Sequence, residues 1–409
     1  MKKFNRYIIE SKNTHMEHVE DLIFNEGVDG TRKAINFLRD LRDMLAGHSK
    51  SRISRTVKWD GAPAVFAGVD PTDGKFFVAK KGVFNKNPKV YKSAADVRAD
   101  TSGDLRAKLI SALAEFSKLG IKSGVYQGDL MFTKGDVSKE KIDGESYYTF
   151  QPNTIVYAVP VNSALGRQIS RAAIGVVWHT TYTGDSFESM SASFGKSIAS
   201  KFNSVASIWS IDANYRDETG NATFTQPETK KVTALLSQAG RIFSTTSPGL
   251  LNAFKENPKL LERVKVFNNS YVRMGKSVNP RSHTTAFISY LHDFYTKEEN
   301  KVKTPAAKER KRLEKKEVMA VFSKYPRAQW TKVWTLMTTL AAAKELIIDK
   351  MNEAGAMNTF LRTRDGFKVT APEGFVAIDH LSNDAVKIVN RMEFSRANFS
   401  PDVIKGWEK

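Results

Sequence analysis

The chain has 409 residues, with 63 Lys+Arg against 44 Asp+Glu for a formal net charge of +19; 41% of residues are hydrophobic and 26% charged. This composition belongs to a folded globular protein with a sizeable core, and the basic excess fits a polyanionic partner, most often nucleic acid. The absence of cysteine excludes disulfide frameworks, cysteine zinc sites, iron–sulfur clusters and thiol nucleophiles. No apolar run reaches the ~18 residues of a membrane span, and the basic start Met1-Lys2-Lys3 lacks the apolar stretch of a signal peptide. A cytoplasmic, monomeric protein without membrane contact is expected.

Residues 1–50 read as helical. Thr14 and Glu17 have capping-box spacing ahead of Val19, Leu22, Ile23 and Phe24. Asn25-Glu26-Gly27 and Asp29-Gly30 are chain breakers, and Ile35, Leu38, Leu41 and Leu45 form the apolar face of a second helix. Short β-prone runs follow between 53 and 185: Ala64–Ala67, Phe76–Ala79, Gly124–Tyr126, Thr154–Val159 and Ile174–Trp178. A helix over about 103–119 interrupts them, which gives an α+β pattern with a largely antiparallel sheet. Residues 186–365 are mostly helical by pattern, with helices expected near 229–243, 248–256, 283–297, 306–323 and 328–354. Within them, 297–316 holds nine Lys/Arg against four Glu, including Lys308, Arg310, Lys311 and Arg312. That run is either a solvated helix or a surface that tracks phosphates. Strand character returns at Phe367–Thr370, Gly374–Ile378 and Ala385–Val389, where the last two can form a hairpin or join the earlier sheet.

Chemistry concentrates in a few segments. Val57-Lys58-Trp59-Asp60-Gly61 puts a lysine next to a turn after a β-prone run, where it can serve as a nucleophile. Downstream come Lys80-Lys81-Gly82, Gly128-Asp129-Leu130, the apolar run Ile174–Trp178, Glu373-Gly374-Phe375-Val376 and a strand carrying Lys387. His15 and His18 stand three apart with no further ligand close in sequence, so a structural role is expected for them. His179 reads as a strand-end histidine. Asp70, Asp73 and Gly74 read as turn chemistry, because the full calcium-loop spacing is missing. There is no P-loop and no nucleophile elbow.

The order of these segments resembles motifs I, Ia, III, IIIa, IV and V of the covalent nucleotidyltransferases, the family of ATP-dependent RNA and DNA ligases and mRNA capping enzymes. The resemblance covers roughly 53–185 and 366–396 and leaves out the helical stretch. It implies an ATP-grasp-like ligase core with antiparallel sheets, divided as an N-terminal helical segment (1–50), the first part of the core (51–185), a basic helical insertion that clamps nucleic acid (186–365), and the second part of the core (366–409). By resemblance, Lys58 attacks the α-phosphate of ATP to form a lysyl-AMP intermediate, with Asp60 beside it in the same motif. Lys80, where the family usually has arginine, and Lys81 contact ribose or phosphate. Asp129, where glutamate is more usual, binds the ribose or a metal, and Glu373 helps hold the divalent ion, Mg²⁺ or Mn²⁺. Lys387 neutralises the α-phosphate. Trp178 is the nearest aromatic residue to stack on the purine, and a plain core role is its other reading; His179, just after it, would then sit near the nucleotide.

Three departures qualify the resemblance. Pro63 stands where DNA ligases have arginine, and Val389 stands where motif V has its second lysine, with Arg391 near enough to substitute. Only 18 residues follow Arg391, too few for an OB domain. These points favour sealing of RNA over DNA, in the manner of ligase-like proteins of large tailed phages. A protein that keeps the fold and binds nucleic acid without the chemistry is the alternative, and a capping guanylyltransferase is a third.

Overall fold

A computed structural model describes residues 17–47, 53–194, 197–213, 223–353, 357–364, 366–370, 374–379 and 384–408. It is an α+β protein with antiparallel sheets and many helices. No helix among the described residues is long and apolar enough to cross a membrane.

The chain opens with a 3₁₀ turn, Val19–Asp21, then α1 (Leu22–Asn25) and α2 (Gly27–Leu45). Gly27, at φ +62°, makes the break between the two helices. Asp29-Gly30, expected to break the chain, lies inside α2 instead. Any Cβ on Gly30 would collide with the Leu22 carbonyl, so this glycine is what lets α1 fold back against α2. Ile35, Leu38, Leu41 and Leu45 are all buried, as their spacing predicts. Thr14 and His15 lie outside the described residues.

The next elements are β1 (Ile53–Lys58), β2 (Ala64–Val69), β3 (Phe76–Ala79), α3 (Ala94–Asp100), α4 (Gly103–Phe116), β4 (Val125–Thr133), β5 (Ser138–Ile142), β6 (Glu145–Phe150), β7 (Ile155–Pro160), α5 (Ala164–Arg171), β8 (Ile174–Thr183), β9 (Ser191–Phe194) and β10 (Ile208–Asp212). The hairpin β5–β6 is invisible to apolar alternation because Lys139, Glu140 and Lys141 occupy a sheet-edge strand. Its signal is the Asp143-Gly144 turn, both residues at positive φ (50° and 88°).

Six helices follow: α6 (Gln226–Thr245), α7 (Pro248–Glu256), α8 (Pro258–Arg273), α9 (Pro280–Lys301), α10 (Pro305–Lys324) and α11 (Arg327–Asn352). The first five begin alike. A Thr, Ser or Asn side chain (Thr225, Ser247, Asn257, Asn279, Thr304) accepts a first-turn amide, and a proline occupies one of the first two helical positions. Helix α8 has no counterpart in the sequence expectation. Its Asn268-Asn269-Ser270 stretch weakens the helical pattern, yet Asn268 is buried and bonded to His283 (2.9 Å). The chain closes with β11 (Asn358–Thr363), β12 (Gly366–Val369), β13 (Gly374–Asp379), β14 (Asp384–Ile388) and α12 (Arg391–Phe399).

The strands form three sheets. The largest runs β10-β8-β4-β2-β3, with β9 also on β8; a second runs β12-β11-β7-β6-β5; a third runs β1-β13-β14. Only the β8–β10 pair is parallel among the described strands. One face of the large sheet packs on α4 through Val65, Leu130, Trp178 and Phe116. Its other face meets the second sheet through Met131, Val177 and Trp209 against Phe150, Tyr157 and Val159.

The helices form one body around α11, whose Trp330, Trp334, Leu336, Leu340, Ile347 and Ile348 are buried while Glu345 and Asp349 stay exposed on the remaining face. Phe24 and Phe37 from the first helices and Phe375, Val386 and Ile388 from the small sheet belong to the same core. The N-terminal helices and the helical stretch are therefore one unit, seated on β13 and β14.

Lys344 of α11 is buried in that unit, 2.7 Å from Glu20, which Arg391 approaches at 3.5 Å. Burial pushes the Glu20 carboxyl up, but Lys344 and Arg391 outweigh it and bring it to about 2. Lys344→Met should lower unfolding stability by about 3 kcal/mol, because it leaves a buried carboxylate with a partner removed. Urea denaturation measures this, and adding Glu20→Gln should recover most of the loss.

Candidate active site around Lys58

Lys58 is the last residue of β1 and pairs with Gly374 of β13, while Val376 of β13 pairs with Lys387 of β14. Side chains alternate along a strand, so Lys58, Gly374, Val376 and Lys387 share one face of the small sheet. Phe375 and Ile388 take the other face and enter the helical core. Gly374, at φ +137°, admits a close approach: a Cβ there would lie 2.8 Å from the Ile388 carbonyl oxygen. Glu373 lies outside the described residues. The Lys387 amide donates to the Glu17 carbonyl (2.8 Å), and His18 bridges Lys387 in parallel. Burial holds the His18 imidazole well below its usual range, which suits a structural histidine.

The loop after Lys58 is anchored on two sides. The carboxylate of Asp60, only 4% exposed, accepts from Asn153 Nδ2 (2.6 Å) and from the amides of Thr154 (2.7 Å) and Ile155 (2.8 Å). Its own amide donates to the Tyr157 hydroxyl (2.8 Å). Burial pushes the Asp60 carboxyl up despite those hydrogen bonds and Lys58. These bonds tie the loop to the second sheet. Trp59 adds ring contacts to Tyr157 (5.2 Å) and Trp209 (6.1 Å). On the other side the Ala62 amide donates to the Leu130 carbonyl (3.0 Å), and the Leu130 amide donates to the Pro63 carbonyl (3.1 Å). A Cβ on Gly61 would lie 2.5 Å from Cβ of Asp129. The glycine of the Lys-x-Asp-Gly segment is thus what lets this loop rest on Asp129.

Asp129 sits in β4 between Ala64 and Val177. Its carboxylate is one quarter exposed and lies 3.8 Å from Nε2 of His179, whose Nδ1 bonds Thr180 Oγ1 (2.7 Å). His179 falls at the register shift between β4 and β8, and that irregularity brings it to the Asp129 side. Trp178 faces the other way. It is fully buried against Phe116 and Phe202, with its indole N–H donated to Ser210 (2.9 Å). This placement gives Trp178 a packing role and no free face for a purine. Lys80 follows β3 and lies 3.1 Å from Asp100, which also receives Lys89 (2.6 Å) and the Tyr91 hydroxyl (2.6 Å). Those three donors hold the Asp100 carboxyl far below the usual range. Lys81 is exposed in the next turn.

The proposed nucleic-acid residues lie on α10. Lys311 pairs with Glu314 (3.2 Å) and Arg312 with Glu299 (2.7 Å), whereas Arg310 is exposed and Lys308 half-buried, without an ion pair among the described residues. Arg391 is not open to a phosphate: it bonds Asp21 (2.9 Å) and Asn269 (2.8 Å). Across α6–α11 the sequence carries 24 Lys/Arg against 11 Asp/Glu, so the helical body holds most of the chain's excess charge.

The structure therefore sets Lys58 and Lys387 on one face of the small sheet, on strands either side of β13, rests the Lys58 loop on Asp129, and adds Asn153, Tyr157 and His179. Sequence reading gave His179 two places, a strand end and the neighbourhood of the nucleotide. Asn153 and Tyr157 carry no local signal, since their role is set by a partner 93 or 97 positions away.

A family of unknown function, DUF6267, matches residues 13–402, which span nearly the whole chain. The chain belongs to the DUF6267 family. No curated protein and no solved structure matches it. Within this family member, Gly61→Ala should cost about 2 kcal/mol through overpacking against Asp129. Gly135→Ala, where a Cβ meets nothing within 4 Å, is the control. Denaturant midpoints separate the two.

Proposed function

We propose that this protein is an ATP-dependent polynucleotide ligase that works through a lysyl-AMP intermediate, with RNA as the favoured strand. The observation that supports this reading best is the β1-β13-β14 register, which sets Lys58 and Lys387 on one face with Gly374 between them. Two segments far apart in sequence, each carrying a lysine of the resembled motifs, meet in one sheet.

In this reading Lys58, as the neutral amine, attacks the α-phosphorus of ATP. An N–P bond forms, the bond to pyrophosphate breaks, and pyrophosphate leaves. The AMP then passes to a 5′-phosphate, and a 3′-hydroxyl attacks that phosphate and expels AMP. Phosphoryl transfer relies on positioning and charge neutralisation, which Lys387 supplies beside Lys58. Lys81, and Lys80 on release from Asp100, would meet ribose or phosphate. Among the described residues no three His, Cys, Asp or Glu gather as a metal site. A hard divalent cation held by one or two carboxylates and phosphate oxygens does not need three. Asp129, beside the Lys58 loop, fits that donor set, and the resemblance adds Glu373, which lies outside the described residues. Such an ion would stabilise charge on the phosphate oxygens. The helical body would hold the polynucleotide through its excess of cations, with Lys308 and Arg310 more available for that purpose than the paired Lys311 and Arg312.

The test is label transfer from α-labelled ATP with Mg²⁺ to the denatured protein. Lys58→Ala should abolish the adduct, and Lys387→Ala should slow it by about 10²-fold, as for removal of one stabilising donor. No adduct on the wild type, or an unchanged adduct in Lys58→Ala, overturns the proposal. Steeply salt-dependent RNA binding without an adduct would point instead to the divergent binding protein, and labelling by GTP alone to a guanylyltransferase.

A further inference from the structure

The segment 400–408, which follows α12, docks on the turn that holds Asp60. Val403 bridges Thr363, and the Ile404 amide donates to the Arg362 carbonyl (2.9 Å). Gln151 Nε2 donates to the Ile404 carbonyl (2.7 Å), and the Gly406 amide donates to the Asn153 carbonyl (2.7 Å). Lys405 reaches Thr154 Oγ1 with its Nζ (3.4 Å) and is only 8% exposed. A side chain at position 406 would strike the Gln151 carbonyl, so the approach depends on glycine there.

The turn that receives this segment, 153–155, supplies the Asn153, Thr154 and Ile155 hydrogen bonds to the Asp60 carboxylate. Asp60 is nearly fully buried, and a buried carboxylate without a cation is costly. Lys58 lies two residues before it, and Lys405 reaches Thr154, whose amide bonds the carboxylate. Lys58 belongs to the loop that must be held. Lys405 comes from outside it, with an ammonium that burial pulls down and Asp60 holds up.

We propose that Lys405 is a positioning residue, whose ammonium balances the buried Asp60 carboxylate and thereby fixes the loop Trp59–Pro63 that follows Lys58. The link runs from segment 400–408 to the turn 151–155, from that turn to Asp60, and from Asp60 to Lys58. Its relevance to chemistry rests on the reading of Lys58 as nucleophile, whereas the tether itself does not.

The experiment uses the full chain with Lys405→Met, Lys405→Arg, Asp60→Asn and a double variant that combines Asp60→Asn with Lys405→Met. Two quantities are read: hydrogen–deuterium exchange over 151–157, and the rate of self-adenylylation at saturating ATP. Lys405→Met should raise exchange and slow adenylylation by about tenfold or more, since the buried cation on Thr154, next to the Asp60 carboxylate, is gone. The ATP concentration for half-maximal rate should not move, because the variant disturbs position and not ATP contact. Lys405→Arg should stay within about threefold of wild type, as the charge is kept. The double variant should regain protection. The carboxamide that Asp60→Asn introduces can still accept both backbone amides through its oxygen and donate to a flipped Asn153, and no charge is left to balance.

Wild-type exchange in Lys405→Met overturns the proposal, as does a double variant no better protected than Lys405→Met. If Lys405→Met fails to fold and the double variant folds, the proposal stands. If both fail, Lys405 is general packing and the proposal falls. Absence of adenylylation in wild type with the exchange pattern as expected overturns the ligase reading and leaves the tether intact. The opposite result removes the tether and leaves the ligase.

Discussion

The antiparallel pairing of β1 with β13 is the constraint on which the rest depends. It aligns Ile53 with Asp379 through to Lys58 with Gly374, and so closes the chain over everything between them. Closure of so long a loop costs little more than closure of a shorter one, because the entropy grows only with the logarithm of length. The fold can therefore hold two sheets and six long helices inside that loop. Lys58 stands at the end of this ladder, where the pairing stops and the chain turns toward Asp129.

The helical body stays fixed to the ladder for a simple reason. Phe375, Val386 and Ile388 occupy the sheet face opposite Lys58 and sink into the same core as Trp330, Trp334 and Phe254. Buried charge reinforces the seam: Glu20, Asp21, Lys344 and Arg391 meet where the first turn, α11 and α12 converge. Such a cluster adds little net stability by itself, but any single partner becomes costly to remove. The Asp60 site follows the same logic on a smaller scale. The loop after Lys58 is tied by a buried carboxylate, and the turn 153–155 of a separate sheet supplies its hydrogen bonds.

Excess charge is divided between these two parts. The helical body carries a dense cationic surface, of which α10 neutralises part through Lys311–Glu314 and Arg312–Glu299. Near Lys58 the cations are few and placed. Lys387 shares the sheet face, Lys80 is committed to Asp100, and Lys405 is buried. A polyanion would meet the first group as a field and the second as individual contacts.

By itself the sequence determined most elements and the order of the chemical segments. The strands at 64–69, 76–79 and 174–183 and the helices at 103–116, 280–301 and 305–324 follow from apolar periodicity and capping residues, which are local quantities. It also set the order of the segments that hold Lys58, Asp129 and Lys387, on which the resemblance to the nucleotidyltransferases rests. Tertiary structure alone decided which of these meet. It turned Trp178 into the core, because strand alternation sends it to the α4 face while Asp129 takes the other. It committed Arg391 to Asp21 and Lys80 to Asp100, and it brought Asn153 to the Asp60 carboxylate, the Tyr157 hydroxyl to the Asp60 amide and Lys405 to Thr154 beside them. Periodicity reports which face of an element is buried. It carries no record of which distant element will cover that face, and the pairing of charges is settled only when the elements pack.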